Sequence, residues 1–429
     1  MKKNYKISAG LILILQVQLL SAQMFVNQII IGNGGIYGNP SDHVTIATYD
    51  PESQITVTFG DVIRESIQDL IVYENFAYVT AEDSIVKFNI DTYEKAAAVY
   101  ESNLHKLFYK SGLLYVSRRA DINGAPADGI YLKVFNAEDL SLVASVEGIS
   151  ADAAGIMVEC DTIYVAIYGE WTATEGKFAV IDNNFNLVRE MNFGTDAVGI
   201  YDLYSDGSKI YSVNKSPYMA QTGSVTTYEI FTASYSTSII NHIVGKGAGI
   251  SNNTLYLGLD YGIGSYDITT NQVIQQTIVP DPGSGNYIYI ADAAFDEINN
   301  LFYVTITDYF SMGEGKIYNL SGNQTGIFEA GISAEAIDID YRMNSFIREE
   351  NNYVQVHLYP NPTIGFIHIQ NEDITEVKVS DVSGKVVLKK NFDNQNNITI
   401  DLSGFPAGVY IININLRNNN YFCERIIKH

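Results

Sequence analysis

Short apolar runs separated by polar, Gly-containing turns fill this chain from about residue 24 to residue 341, the pattern of consecutive β-strands. The plainest copy of the unit is 254–274, TLYLGLDYGIGSYDITTNQVI, in which two apolar runs flank a short turn and a third begins after a polar one. The opening pair of runs recurs at 67–79 (IQDLIVYENFAYV), 104–116 (LHKLFYKSGLLYV), 153–165 (AAGIMVECDTIYV), 197–213, 247–257 and 293–304, about 37 to 50 residues apart. Third strands follow at 85–91, 130–136, 178–182, 224–230, 263–267 and 316–320, each before a shorter fourth. That period and strand number predict the blades of a propeller. Residues 26–31, 44–49 and 55–59 read as strands two to four of a further blade, and 334–341 (AEAIDIDY) as its missing first strand. Joining the two ends predicts a seven-bladed β-propeller whose last blade is closed by N- and C-terminal strands, leaving no free edge.

Beyond this ring the pattern changes. Residues 342–352 are polar and charged without alternation and read as a linker. From Tyr353 to His429 come about seven short alternating strands, at 354–358, 366–370, 376–381, 385–390, 398–402, 408–416 and 421–427, which predict a small Ig-like β-sandwich. The expected organisation is therefore a leader at 1–22, a propeller at 23–341, the linker and a C-terminal domain at 353–429, and the fold class is all-β.

The leader is read from Lys2, Lys3 and Lys6 ahead of the apolar run 7–20, with cleavage expected after Ala22. The run is too short to span a membrane comfortably, and no later stretch approaches a transmembrane length, so no membrane-spanning segment is expected in the mature chain. Losing the three lysines takes the net charge from −23 to −26, while the C-terminal domain carries as many basic as acidic residues. The acidity belongs to the ring and argues against nucleic-acid partners. Cys160 and Cys423 fall in different expected domains, so they are read as small buried hydrophobes and no bridge is expected.

Candidate chemistry lies in the loops. The connections between strands two and three are long at 32–42, 118–129, 169–176, 215–223 and 308–315, and the blade-to-blade connection 280–286 leaves on the same side. They carry Tyr37, Arg118, Arg119, Trp171, Tyr218, Tyr309 and Phe310 among acidic residues, and the short connection of the 254–274 unit adds Tyr261. Aromatic rings beside hydrogen-bonding groups suit a glycan or a protein ligand. No metal-ligand spacing involves His43, His105 or His242, and no nucleophile elbow or phosphate loop occurs. Asp121-Ile122-Asn123-Gly124 opens like a calcium loop, but Ala125 stands where an oxygen ligand belongs, so no cofactor is predicted and calcium is the one metal to test. A propeller hydrolase or lyase of the lactonase kind, its active-site residues scattered one per blade, is the alternative to a binding module, and a structural surface-layer component is a third reading.

Two resemblances sharpen the picture. The units at 162–188 and 255–273 resemble the YVTN-type repeats of YncE-like and surface-layer propellers, which implies fold more than activity. In the tail, Tyr359-Pro360-Asn361-Pro362 with Gly365, the turn Asp381 to Lys385 containing Gly384, Gly408 and Tyr410 in PAGVY, and the ending up to Lys428 resemble the type A C-terminal sorting domain of the type IX (Por) secretion system of Bacteroidota. That resemblance implies export to the periplasm, recognition by the outer-membrane translocon and removal of the tail by its sortase, leaving the cargo secreted or on the cell surface.

Overall fold

The structure is a computed structural model that describes residues 24–36, 38–39, 41–169, 173–343, 356–370, 374–381, 385–417 and 421–429. The leader 1–22, most of the expected linker, and Tyr37, Trp171 and Gly384 lie outside the described residues.

Residues 24–343 form seven four-stranded antiparallel sheets. In six of them the strands run in chain order. In the remaining sheet the last strand, Ala334–Met343, pairs with the first, Met24–Asn33, which continues to Val44–Asp50 and Ile55–Val62. Pairing in this closing sheet runs from Asn33↔Ala334 to Met24↔Met343, two residues past the expected boundary at 341. Arg342, assigned to the linker by its charge, instead lies within the strand, opposite Phe25, and makes an ion pair to Asp91 at 2.9 Å.

The first strands are Asp69–Tyr73, Leu104–Lys110, Ala153–Glu159, Ile200–Ser205, Val244–Ser251, Tyr289–Asp296 and Ala334–Met343. Each touches the next, and the last touches the first, so the sheets close a ring in a β-propeller-like arrangement. Their apolar faces pack in the gaps between neighbouring sheets. Val165 and Ile181 of one sheet, for instance, share a core with Leu132 and Val134 of its neighbour, all buried. Outer strands such as Glu94–Tyr100 and Leu142–Val146 are largely exposed.

A recurrent polar bond ties the inner strands together. Asp338 accepts from the Val72 amide at 2.6 Å, Asp69 from Leu107 at 2.7 Å, Asp202 from Gly247 at 2.8 Å and Asp292 from Ile337 at 3.3 Å. Each carboxylate thus satisfies an amide of the following sheet, which a buried strand edge requires.

The tail has two sheets. Its three-stranded sheet orders His357–Tyr359, Phe366–Gln370 and Ile398–Asp401; its four-stranded sheet orders Val386–Gln395, Ile374–Asp381, Gly408–Leu416 and Tyr421–Lys428. Ile367 and Ile400 of one sheet and Val377, Ile412 and Ile414 of the other are fully buried in one core between them.

The cysteines do not behave as isolated hydrophobes. Cys160 and Cys423 form a disulfide with Cα atoms 5.0 Å apart and a sequence separation of 263. Cys160 sits in the tight turn joining Ala153–Glu159 to Thr162–Ile167, with φ 51° there and 59° at Asp161. Cys423 lies on Tyr421–Lys428, the edge strand of the tail. The expectation failed because assignment to separate domains says nothing about whether a protruding turn of one meets an open edge of the other.

Candidate ligand-binding site

Inner strands of a ring would hide alternate residues between sheets, yet six of the seven carry a β-bulge near their start. The extra residue falls within His105–Lys106, Ala154–Gly155, at Tyr201, within Gly245–Lys246, at Ala291 and at Glu335. A bulge breaks the two-residue alternation and re-aims a side chain. The result is a cluster of polar and ionisable groups at one mouth of the ring.

There a cavity of about 330 Å³ is lined by Lys215, Lys246, Tyr261, Tyr289, Asp292, Tyr309 and Glu335, with glycines 245, 247, 258 and 262. Lys215 follows the second strand of its sheet, Tyr261 and Tyr309 sit in connections between second and third strands, and Lys246, Tyr289, Asp292 and Glu335 come from first strands. Four successive sheets therefore contribute, all from the side of the long loops. Tyr289 stands between its neighbours, its ring centroid 6.3 Å from that of Tyr261 and 6.3 Å from that of Tyr309. Two glycines make room for this arc. A Cβ on Gly247 would collide with the Tyr204 hydroxyl, and one on Gly258 would meet the Gly245 Cα at 2.9 Å.

Charge in the cavity is unevenly satisfied. Lys246 Nζ donates to the Ala291 carbonyl at 2.9 Å and lies 3.7 Å from Asp292. Lys215 Nζ lies 4.1 Å from the centroid of the Tyr201 ring. Burial, reinforced by Lys246, Lys106 and Arg119, pushes its ammonium down to about 8. Burial raises the Glu335 carboxyl, with Lys246 and Arg119 opposing.

His105 is structural. Its Nδ1 donates to the Ala153 carbonyl at 2.7 Å, which leaves Nε2 to accept from the Tyr201 hydroxyl at 3.2 Å. Burial holds its pKa well below the ordinary value, so the ring is neutral. Among the described residues no group of three or more His, Cys, Asp or Glu is placed to hold a metal ion. At the calcium-like stretch the Asp121 carboxylate accepts from the Asn123 amide at 2.7 Å.

Of the loop residues singled out by sequence, Tyr261 and Tyr309 line the cavity, and Arg119 acts on its charges. Tyr218 and Phe310 are exposed but do not line it. Arg118 is a correction. It is 2% exposed, its guanidinium pairing with Glu101 at 2.9 Å and Asp128 at 2.7 Å and donating to the Ser102 and Ile130 carbonyls. It ends the strand Leu113–Arg118 and turns inward to hold its loop, so it offers nothing to a ligand. The connection expected at 308–315 contracts to residues 308–311 because the third strand starts at Met312. Tyr289, Lys215, Lys246 and Glu335 were missed; the bulges that aim Lys246 and Glu335 inward leave no periodic signal.

The tail motif has a mechanical role. Asn361 Nδ2 donates to the Arg425 carbonyl at 2.6 Å and its Oδ1 accepts from the Ile427 amide at 2.9 Å, while Thr363 bonds to the backbone of Ile427 and His429. The segment containing cis Pro360 and cis Pro362 thereby clamps the last strand. Gly365 donates to Thr363 Oγ1 at 3.0 Å and packs by Ser403, the Asp381 amide donates to the Lys385 carbonyl at 3.0 Å while the Lys385 amide donates to Asp381 Oδ1 at 3.1 Å, the Tyr410 hydroxyl donates to the Pro406 carbonyl at 2.8 Å, and Lys428 pairs with Gly408.

Comparison with known proteins separates the two parts. No curated protein sequence matches the chain. Among solved structures, the WD40 repeats of RRP9 are similar at TM-score 0.49 and 10% identity, covering 78% of this chain and 94% of that one. A chain of the mitotic checkpoint complex is similar at TM-score 0.48 and 7% identity over 71% and 95%, and the computationally designed Ika8 protein at 0.45 and 15% over 84% and 96%. The ring itself rests on the strand pairing described above. Among the described residues no helix is long and apolar enough to cross a membrane. Residues 357–429 match the family described as the secretion system C-terminal sorting domain, so the tail is a sorting domain of type IX secretion, which engages that machinery and directs the chain to the cell surface or outside.

Proposed function

We propose that residues 24–343 are a seven-bladed, YVTN-like β-propeller that binds a glycan at the cavity on its long-loop face, outside the cell that made it. One observation carries this reading. A cavity of about 330 Å³ gathers three tyrosine rings and four ionisable side chains from four sheets, of a size that suits one or two sugar rings. Tyrosine offers a flat apolar face with a polar tip at small entropic cost, which is what a sugar ring requires. Tyr218, Tyr287 and Phe310, exposed on neighbouring loops, can extend the contact to further residues of a chain.

The route follows from the two ends of the sequence. Export begins with the leader 1–22, cut after Ala22, and the Ig-like tail then presents the folded ring to the type IX translocon and its sortase. The test of binding is a glycan array, with a peptide array beside it, probed with wild type and with Tyr289→Ala and Tyr261→Ala/Tyr309→Ala. Glycan signal lost in both variants supports the reading. Equal signal in all three, or peptide binding alone, rejects it.

A further inference from the structure

We infer that the cavity selects an acidic sugar, whose carboxylate is held by the Lys215 ammonium. This deepens the proposed glycan binding and rests on it.

The observation is an imbalance of partners. Lys246 has the Ala291 carbonyl and Asp292, and Asp292 is further engaged by the Ile337 amide. Lys106, the neighbouring inner-strand cation, is paired with Asp69 at 3.1 Å. Lys215 lines the same cavity, yet among the described residues its Nζ has no hydrogen bond or ion pair, only the face of Tyr201 at 4.1 Å and that of Tyr168 at 5.9 Å. A largely desolvated ammonium without an anion is costly, and an incoming carboxylate meets that need with a charge-assisted hydrogen bond. Lys246, Lys106 and Arg119 oppose its charge and Asp202 favours it, while Asp292 and Glu335 line the same cavity without pairing with it.

The rest of the lining fits the remainder of such a ligand. The Tyr261–Tyr289–Tyr309 arc presents ring faces and hydroxyls to a pyranose, and Glu335, itself outside any ion pair among the described residues, can accept from sugar hydroxyls. A neutral sugar would use the arc and Glu335 but leave Lys215 unanswered. A uronate uses all three.

The depressed ammonium also sets a pH limit. The carboxylate needs Lys215 protonated, so affinity holds below about 8 and is lost as pH rises through it.

The experiment is a calorimetric titration of the full mature chain with methyl glucuronoside and methyl glucoside, at pH 7 and pH 9.5. Wild type should prefer the uronoside by about tenfold or more at pH 7, with the preference reduced at pH 9.5. Lys215→Gln should abolish the preference, and Lys215→Arg should keep it at both pH values. Equal affinity of wild type for the two sugars, a preference that survives Lys215→Gln, or failure of the uronoside to bind overturns the acidic-sugar assignment. If glycans from the array still bind in a Tyr289-dependent way, the cavity reading stands without it; if no glycan binds, both fall.

Discussion

Cys160, in a tight turn of the ring, is covalently joined to Cys423, on the edge strand of the sorting tail. The connection between ring and tail thus has two strands, one running through the polypeptide between Met343 and Val356 and the other through sulfur. Cutting that polypeptide leaves the fragments bound. Proteolysis within residues 344–355 should give one band of full mass without reductant and two with it, and Cys423→Ser should give two in either case. Separate fragments from unreduced wild type would show that the bridge does not form.

Asp338 should make stability fall as pH rises. Burial, aided by Asp69 and Asp292, raises its carboxyl to about 7 against the opposing amides of Val72 and Ile339. The folded chain therefore holds a proton that the unfolded chain releases near pH 4, and stability declines from there up to about pH 7. Asp338→Asn cannot titrate, so its stability relative to wild type should improve between pH 5 and pH 8. Urea unfolding at the two pH values measures the difference.

Arg118→Ala should weaken the ring without touching ligand binding. It strands Glu101, which retains Lys133 at 2.8 Å, and loosens Asp128, which retains Lys133 at 2.9 Å. The expected loss is about 3 kcal/mol in chemical denaturation, near the lower end for breaking a buried ion pair because both carboxylates keep a cation. The glycan titration should be unchanged.

Asn361→Ala should fray the end of the tail. It removes two side-chain bonds to the last strand, worth about 1–3 kcal/mol together. The variant should accumulate in the periplasm while its ring stays folded, which fractionation with an antibody to the ring would reveal. Normal surface delivery would mean that this clamp has no part in sorting.

Much of the fold was legible because strands repeat at a regular interval and because the complementary fragments near residues 26–59 and 334–341 had no other partner. The tail was legible through its proline- and glycine-bearing turns, whose backbone demands few other sequences meet. The cavity was only half legible. Tyr261 and Tyr309 advertise themselves as aromatics in turns, whereas Tyr289 begins a strand and reads as core. Lys246 and Glu335 sit on bulges, and a bulge is an inserted residue that hides inside an apparent alternation. Arg118 misled for the converse reason, since a cation at a strand end reads as exposed until its buried acidic partners are known. The disulfide left no local trace at all.

Hydrogen exchange of the mature chain, with and without a saturating glycan selected on the array, tests the central claim most directly. The account predicts slowed exchange in peptides covering residues 244–262 and 287–312 and around Lys215, with the opposite turns at 73–75, 110–112 and 160–161 unchanged. Protection confined to those opposite turns or to the tail would contradict it.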